Sequence, residues 1–130
     1  MAARKLLVLV LLSVLLPVRT ARSAEDEVKV RMDDRVKQAT AKAVKWLAGK
    51  QGADGSWSTD HFQQNTAITA FALLALMSQG NLPGEGEYGP EVEKGKNFLL
   101  SSAREDGYLI GRHGGNMYCH GMATLALAEL

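Results

Sequence analysis

One pattern occurs twice in this chain, at an offset of 52 residues and without a gap. The first copy, positions 42–57, reads KAVKWLAGKQGADGSW, and the second, positions 94–109, reads KGKNFLLSSAREDGYL. The positions that match in type are Lys42 and Lys94, Ala43 and Gly95, Trp46 and Phe98, Leu47 and Leu99, and Asp54-Gly55 and Asp106-Gly107. A repeat with a period near 50 residues predicts stacked helical hairpins, because one such unit cannot bury its apolar face alone.

Each copy has the pattern of a helix end followed by a tight turn. Ala43, Trp46 and Leu47 recur at i, i+3 and i+4, which places them on one helix face. Gly55 follows an aspartate, and an Asp-Gly pair favours a turn in which the glycine takes positive φ. Trp57 then returns a large ring, with one N–H donor, toward the helix that precedes the turn.

The first copy resembles the QW repeat of the squalene and terpenoid cyclases, which protein prenyltransferase β-subunits share in looser form. The residues that carry the resemblance are Lys42, Trp46, Leu47, Gln51, Gly55 and Trp57. The second copy departs from the pattern, since Ala103 and Leu109 replace the glutamine and the tryptophan. The resemblance implies an all-α fold of antiparallel helical hairpins that form part of an α/α toroid, incomplete in this chain. It also implies that the glutamine caps a helix end and that the tryptophan packs against it, as scaffold and not as catalyst.

The apolar periodicity predicts four helices, near 32–48, 61–79, 91–102 and 116–130, grouped in repeats at about 32–80 and 90–130. For the first helix we expect a buried stripe of Met32, Val36, Ala39, Ala43, Trp46 and Leu47. For the second we expect a cap at Asp60, paired with Gln63 three residues on. We also expect burial on all sides, because only Thr69 is polar between 67 and 77. In the second helices of the two repeats, Ala70 would pair with Ala123, at an offset of 53.

Residues 1–23 have the pattern of a signal peptide. Arg4 and Lys5 precede an apolar run at 6–16, which is too short to span a bilayer and suits an export signal. Small residues at Ala21 and Ser23 favour cleavage after Ser23; an uncleaved anchor is the alternative. The sequence therefore predicts export, to a periplasm or to the outside, with residues 24–130 as the mature chain.

The mature chain is short for the family that it resembles. A closed toroid needs more hairpins than the two found here, and each hairpin packs against its neighbours. The sequence also stops inside an apolar helical pattern, at Glu129-Leu130, with no helix stop signal. We therefore expect an N-terminal part of a longer protein, whose remaining repeats would be its partners.

Composition and motifs exclude several other functions. The formal net charge is +1 and there is no run of basic residues, so nothing indicates nucleic-acid binding. The single cysteine, Cys119, cannot form an internal disulfide. The sequence contains no P-loop, dinucleotide fingerprint, HExxH or GxSxG motif, and we predict neither a cofactor nor a metal.

Polar side chains cluster at positions 113–120, before and within the first turn of the fourth helix. His113, Cys119 and His120 are the candidates for a polar group at the mouth of a cavity. Cys119 and His120 are adjacent, so on a helix they point about 100° apart and cannot easily share one metal ion. The cluster faintly resembles the zinc segment of prenyltransferase β-subunits, but Met117 stands where the ligand aspartate should be. The alternative is a polar loop with a buried thiol and a locally hydrogen-bonded histidine.

Two functions fit this sequence. The first is an exported, non-catalytic binding or scaffold domain, whose concave cavity takes a hydrophobic, peptide or glycan ligand. The second is a truncated terpenoid (squalene-hopene) cyclase-like or prenyltransferase-like enzyme whose catalytic residues lie beyond residue 130. The resembling cyclases protonate their substrate from a DxDD segment, which this sequence lacks; Asp33-Asp34 has the pattern of an exposed helix start. This chain alone is thus predicted to contain no catalytic residue.

Overall fold

The structure is a computed structural model that describes residues 33–111 and 115–130. Its helices are α1 (Asp34–Ala48), α2 (Thr66–Met77), α3 (Gly89–Ser101) and α4 (Met117–Ala128). Within these two ranges there is no β-strand, only the isolated bridges Leu82–Glu85 and Ala103–Leu109. The predicted all-α class of packed helical hairpins is confirmed, and the arrangement is consistent with part of a helical toroid. No helix among the described residues has the length and apolar character needed to cross a membrane.

The second helix starts later than predicted, and its cap is Asn65 instead of Asp60. The Asn65 side-chain oxygen accepts hydrogen bonds from the backbone N–H groups of Ala67 and Ile68, at 3.0 and 3.1 Å. Gln63, the expected partner of Asp60, instead donates its side-chain amide to the carbonyl of Thr59. The residues before the cap therefore form a separate turn, which delays the helix by five positions relative to the prediction.

Helix α2 is the centre of the fold. It packs most extensively against α4, then against α3 and α1. The fully buried leucines and valine are Leu73, Leu76, Val92 and Leu99. The predicted burial of α2 is confirmed on most of its circumference, but Phe71 remains 48% exposed. Asn81, buried just after α2, joins this helix to the next, since it donates to the Leu76 carbonyl and accepts from the Tyr88 N–H, both at 2.9 Å.

The buried stripe predicted for α1 is wrong. Val44 is the buried residue of this helix. Leu47 is half-buried, Val36 is 48% exposed and Trp46 is 64% exposed. Ala39 and Ala43 are exposed as well, and Met32 lies outside the described residues. Sequence periodicity identified an apolar face correctly, but among the described residues only Leu47 of this face packs against the core.

The two repeat turns have the same backbone hydrogen bonds. The Gly52 N–H donates to the Ser56 carbonyl at 2.8 Å, and the Arg104 N–H, 52 positions later, donates to the Tyr108 carbonyl at 3.1 Å. The sequence repeat is therefore also a structural repeat in the part of the chain that joins the helices of each hairpin.

The conformation at the Asp-Gly pairs repeats too. Gly55 has a φ of +87° and Gly107 a φ of +81°. Asp54 accepts a backbone hydrogen bond from the residue two positions on, at 3.0 Å, and Asp106 does so at 3.1 Å. The expected left-handed glycine turn thus occurs in both copies.

The second helices of the repeats align at an offset of 51 residues, which corrects the expected 53. Asn65 caps α2 and Asn116 caps α4. The Thr69 hydroxyl accepts the N–H of Trp57, and His120 Nδ1 accepts the N–H of Leu109. The loop between the turn and the second helix is one residue shorter in the second repeat. A sequence comparison does not reveal this difference, because alanines recur along both helices and several alignments look equally good.

Candidate functional site

Gln51 joins the first hairpin to the second. Its side-chain amide donates to the carbonyl of Gly55 at 3.0 Å and to the carbonyl of Glu91, in the first turn of α3, at 2.9 Å. An amide group has two donor hydrogens, so these two bonds use both. A single side chain thereby fixes its own turn and holds that turn against the following helix.

Trp57 closes the same turn on the helix that precedes it. Its ring is 2% exposed, and its indole N–H donates to the carbonyl of Leu47 at 2.8 Å. That carbonyl lies in the last turn of α1, where helix carbonyls lack a partner within the helix. Trp57 therefore supplies both apolar burial and the cap of a helix end.

The turn and α3 approach so closely that each needs a glycine. A Cβ on Gly55 would overlap the carbonyl of Lys94, and a Cβ on Gly95 would lie 2.7 Å from Leu73 Cδ2 and 3.1 Å from Trp57 Cζ3. The contact between the two repeats thus leaves no room for a side chain at Gly55, or at Gly95, which stands at the Ala43 position in the second copy.

Of the other residues of the family pattern, Lys42 is exposed, Leu47 is half-buried and Trp46 lies under the Lys50 ammonium, 5.5 Å from its ring centroid. The structure thus brings Leu47, Gln51, Gly55 and Trp57 together and leaves Lys42 and Trp46 outside their cluster. Assignment of these residues to a cyclase-type motif stays a prediction.

Asp54 stabilises the first turn as a carboxylate. Partial burial favours a higher pKa for Asp54, but hydrogen bonds to the carboxylate outweigh it and lower the pKa below its usual value. They come from the Ser56 N–H at 3.0 Å, the Ser56 hydroxyl at 2.8 Å and the Gln64 amide at 2.7 Å. The negative charge of Asp54 is thus tied to the folded turn.

Helices α2 and α4 present an uncharged apolar surface. Tyr118, Met122 and Leu125 recur at i, i+4 and i+7 on α4, and Phe71 on α2 contacts Tyr118 with ring centroids 6.2 Å apart. We call these four residues the inner-helix surface. Phe71, Tyr118 and Leu125 are 48%, 57% and 47% exposed, and neither helix contains an Asp, Glu, Lys or Arg. Such a surface suits contact with an apolar molecule or with protein.

A cleft of about 520 Å³ opens at the N-terminal ends of α2 and α4. Cys119, 7% exposed, lines it from the first turn of α4, and His61 and Phe62 line it from the loop before α2. His61 and Phe62 were not predicted as site residues, because no residue spacing linked them to Cys119. His113 lies outside the described residues.

The His120 side chain does not line this cleft with Cys119 but contacts Leu109 and Tyr108. Its Nδ1 accepts the Leu109 N–H at 3.1 Å, which requires the neutral imidazole to carry its proton on Nε2. The ring lies 4.7 Å from the ring of Tyr108. Across the described ranges, no three His, Cys, Asp or Glu side chains are placed to hold a metal ion.

Comparison with known proteins gives one partial match. The chain is 39% identical over 74 residues to lanosterol synthase erg7A of Aspergillus fumigatus, a terpenoid cyclase. The match covers 57% of this chain and 10% of that protein. No family model matches the chain, and no solved structure matches it. The similarity loosely supports a relationship to cyclase-like helical repeat proteins.

Proposed function

We propose that this chain is part of an exported helical-repeat protein that binds an apolar molecule and acts as a scaffold without a catalytic group of its own. The observation that carries the proposal is the inner-helix surface, defined by Phe71, Tyr118, Met122 and Leu125. It offers two aromatic rings in contact and no carboxylic acid, so it can contact an apolar molecule but has no carboxyl group of the kind that protonates the substrate in the cyclases that the sequence resembles.

Apolar contact at this surface gives affinity through the removal of ring area from water. Phe71 and Tyr118 are about half exposed, so each retains area that a ligand can cover. Full burial of a large apolar side chain contributes roughly 1.5–3 kcal/mol, and half of that corresponds to about a tenfold change in affinity or less.

The test uses squalene as the probe, in equilibrium partitioning between the chain and detergent-free vesicles. We expect saturable binding that weakens about three- to tenfold in Phe71→Ser and in Tyr118→Ser. The matched control is Leu82→Ser, which removes an apolar side chain that is 40% exposed in the loop after α2. Equal binding by all variants, or no saturable binding, would refute the proposed ligand site.

The export part of the proposal rests on the pattern at residues 1–23. Cleavage after Ser23 leaves a mature chain of 107 residues, 130 minus 23. Mass spectrometry of the product from an expressing cell checks this directly. A product that retains Met1 and stays inside the cell would contradict export.

A second candidate, a cyclase-like enzyme, is favoured by the similarity to lanosterol synthase. It would need an acid that protonates the substrate, and α2 and α4 carry no Asp or Glu. Gas chromatography with mass-spectrometric detection of the squalene recovered from the binding assay separates the two candidates, because isomers of equal mass differ in retention time. Unchanged squalene supports binding alone, and a cyclised isomer of the same mass supports the enzyme.

A further inference from the structure

The backbone of Leu109 is held by two helices. Its N–H donates to Nδ1 of His120 on α4 at 3.1 Å, and its carbonyl accepts the hydroxyl of Thr66 on α2 at 3.2 Å. Leu109 is 8% exposed, so the loss of a partner there would leave a poorly solvated donor or acceptor, which is costly. The bond to His120 therefore ties the turn that contains Gly107 to the start of α4.

The corresponding bond of the first repeat has an acceptor that does not titrate. The Trp57 N–H donates to the Thr69 hydroxyl oxygen at 3.0 Å. That oxygen keeps its lone pairs at every pH at which proteins are folded, whereas a histidine side chain takes up a proton near pH 6.5, about the middle of the physiological range. The two repeats thus make the same backbone bond to acceptors that respond differently to acid.

Protonation of His120 would remove its acceptor. In the neutral ring that carries its proton on Nε2, the lone pair of Nδ1 is free to accept the Leu109 N–H. The imidazolium carries a hydrogen on both nitrogens, so two N–H groups would then face each other. His120 is only half-buried, so a proton from solvent can reach the ring. The imidazolium and this hydrogen bond are therefore mutually exclusive.

Some groups in the same turn favour the imidazolium. The Tyr108 ring lies 4.7 Å from the His120 ring, and an aromatic face attracts a cation. The turn also carries Glu105, and Arg104 pairs with Asp106 at 3.5 Å. These charged groups are exposed, so water and salt screen them. A partly exposed cation–π contact contributes less than a poorly solvated, unpaired N–H costs, so loss of the bond decides the net effect of acid.

The helices around α4 offer little charge that could compensate. Neither α2 nor α4 contains an Asp, Glu, Lys or Arg. The other titratable side chains of these elements and of α3 are Tyr118, Cys119, Glu91, Glu93, Lys94 and Lys96, of which Glu93 and Lys96 pair at 2.8 Å. Arg112 and His113 lie outside the described residues.

We propose that the hydrogen bond between His120 and Leu109 is an acid-sensitive joint. It holds the turn that contains Gly107 to α4 while the imidazole is neutral, and it releases that turn when the imidazole is protonated. The first repeat has no such joint, because Thr69 takes the place of His120. The joint lies wholly among the described residues and does not depend on the function proposed above.

The direction of the effect on stability follows from proton binding. In the unfolded chain His120 binds a proton without losing a contact, whereas the folded chain must give up the Leu109 bond to do so. At acidic pH the unfolded state therefore binds more protons than the folded state. The contribution of the joint is fully present above the range in which histidine titrates and is lost as the pH falls through that range.

Denaturant titration at about pH 7.5 and about pH 5, on either side of the histidine range, tests the joint. The comparison is with His120→Asn, whose side-chain oxygen stands near the position of Nδ1 and accepts an N–H without titrating. The ratio of folded to unfolded chain is expected to fall about three- to tenfold more in the wild type than in this variant.

His61→Asn is the matched control. His61 is exposed in the loop before α2, so its replacement should leave the wild-type pH dependence intact. Carboxyl groups that titrate in the same range are present in all three proteins and cancel in the comparison. The same pH dependence in the wild type and in His120→Asn would overturn the proposal.

A second measurement needs no substitution. In nitrogen NMR of the isotope-labelled wild-type chain, His120 is expected as the Nε2–H tautomer at about pH 7.5, above the histidine range. On acidification the Leu109 N–H resonance should shift together with the His120 ring, while that of Trp57 should not follow it. An Nδ1–H tautomer, or a Leu109 resonance indifferent to the titration of the ring, would show that no such joint exists.

Discussion

The turn at Gly55 and the turn at Gly107 have one backbone conformation and opposite surroundings. Both glycines have φ near the left-handed region, at +87° and +81°. The first turn is covered by α3, whereas no described residue lies within 4 Å of where a Cβ on Gly107 would stand. Only the first copy keeps Gln51 and Trp57, the side chains that bind the turn to its neighbours. The comparison indicates that the local sequence determines the backbone conformation of the turn. Contact with the next repeat determines which side chains the turn carries.

The largest effect is expected when the ring of the first copy is removed. Trp57→Ala should lower the free energy of unfolding by about 3–5 kcal/mol, because it leaves a cavity and removes the indole hydrogen bond to the Leu47 carbonyl, which keeps the Lys50 N–H. Leu109→Ala, the same position in the second copy, should cost less, since it removes a smaller side chain and no hydrogen-bond donor. Denaturant titration followed by circular dichroism measures both. A Trp57→Ala cost below about 1 kcal/mol would show that the ring is not part of the core.

A smaller effect is expected at Gln51. Gln51→Ala should cost about 1–2 kcal/mol, because the carbonyls of Gly55 and Glu91 lose their amide donor. Its cost should not add to that of Trp57→Ala, since Gln51 and Trp57 hold the same turn. Additive costs in this double-mutant cycle would mean that the two side chains act independently.

The second copy supplies the control for Gln51. Ala103→Gln should leave the stability of the single chain almost unchanged, because no following helix among the described residues offers it a carbonyl. A stabilisation as large as the loss in Gln51→Ala would contradict the view that Gln51 stabilises the chain mainly through its hydrogen bond to the Glu91 carbonyl of the second repeat.

The smallest effect is expected in acid, at Asp54. The folded turn lowers the pKa of this carboxyl, so its contribution is fully present above the pKa of the unfolded chain, near 3.9. The contribution is lost as the pH falls through the lower pKa of the folded state. The free energy of unfolding should therefore fall less between pH 7 and a pH below 4 in Asp54→Asn than in the wild type. Denaturant titration of both proteins at the two pH values measures this difference. Equal losses would show that the Asp54 carboxylate does not stabilise the folded turn.

The helices and the turn could be predicted from the sequence because their signals are local. Apolar spacing located all four helices, and the Asp-Gly pairs predicted the positive φ of Gly55 and Gly107. The cap at Asn65 was missed, because Asp60 and Gln63 also fit a cap and only tertiary structure decides between them. The burial of Ala43 and Trp46 was wrong for another reason: periodicity finds an apolar face but not whether a neighbour covers it.

The candidate site could be predicted only in part. The resemblance to the QW repeat linked Gln51 with Trp57, and both residues lie at the same turn of the structure. It could not pair Phe71 with Tyr118, because these residues lie in different repeats and meet only through the packing of α2 on α4. The one-residue shift between those helices also hid the correspondence of Thr69 and His120, whose side chains differ in type but accept the same backbone N–H.

The most direct test of the comparison is the difference in stability between Gly55→Ala and Gly107→Ala. Both variants place a Cβ at positive φ, which costs about 1–2 kcal/mol in each. Only at Gly55 does the Cβ also meet the backbone of Lys94, and such overpacking adds about 1–3 kcal/mol. We predict that Gly55→Ala lowers the free energy of unfolding by that further amount relative to Gly107→Ala. Equal costs would contradict the claim that the contact between Gly55 and α3 leaves no room for a side chain in the first turn.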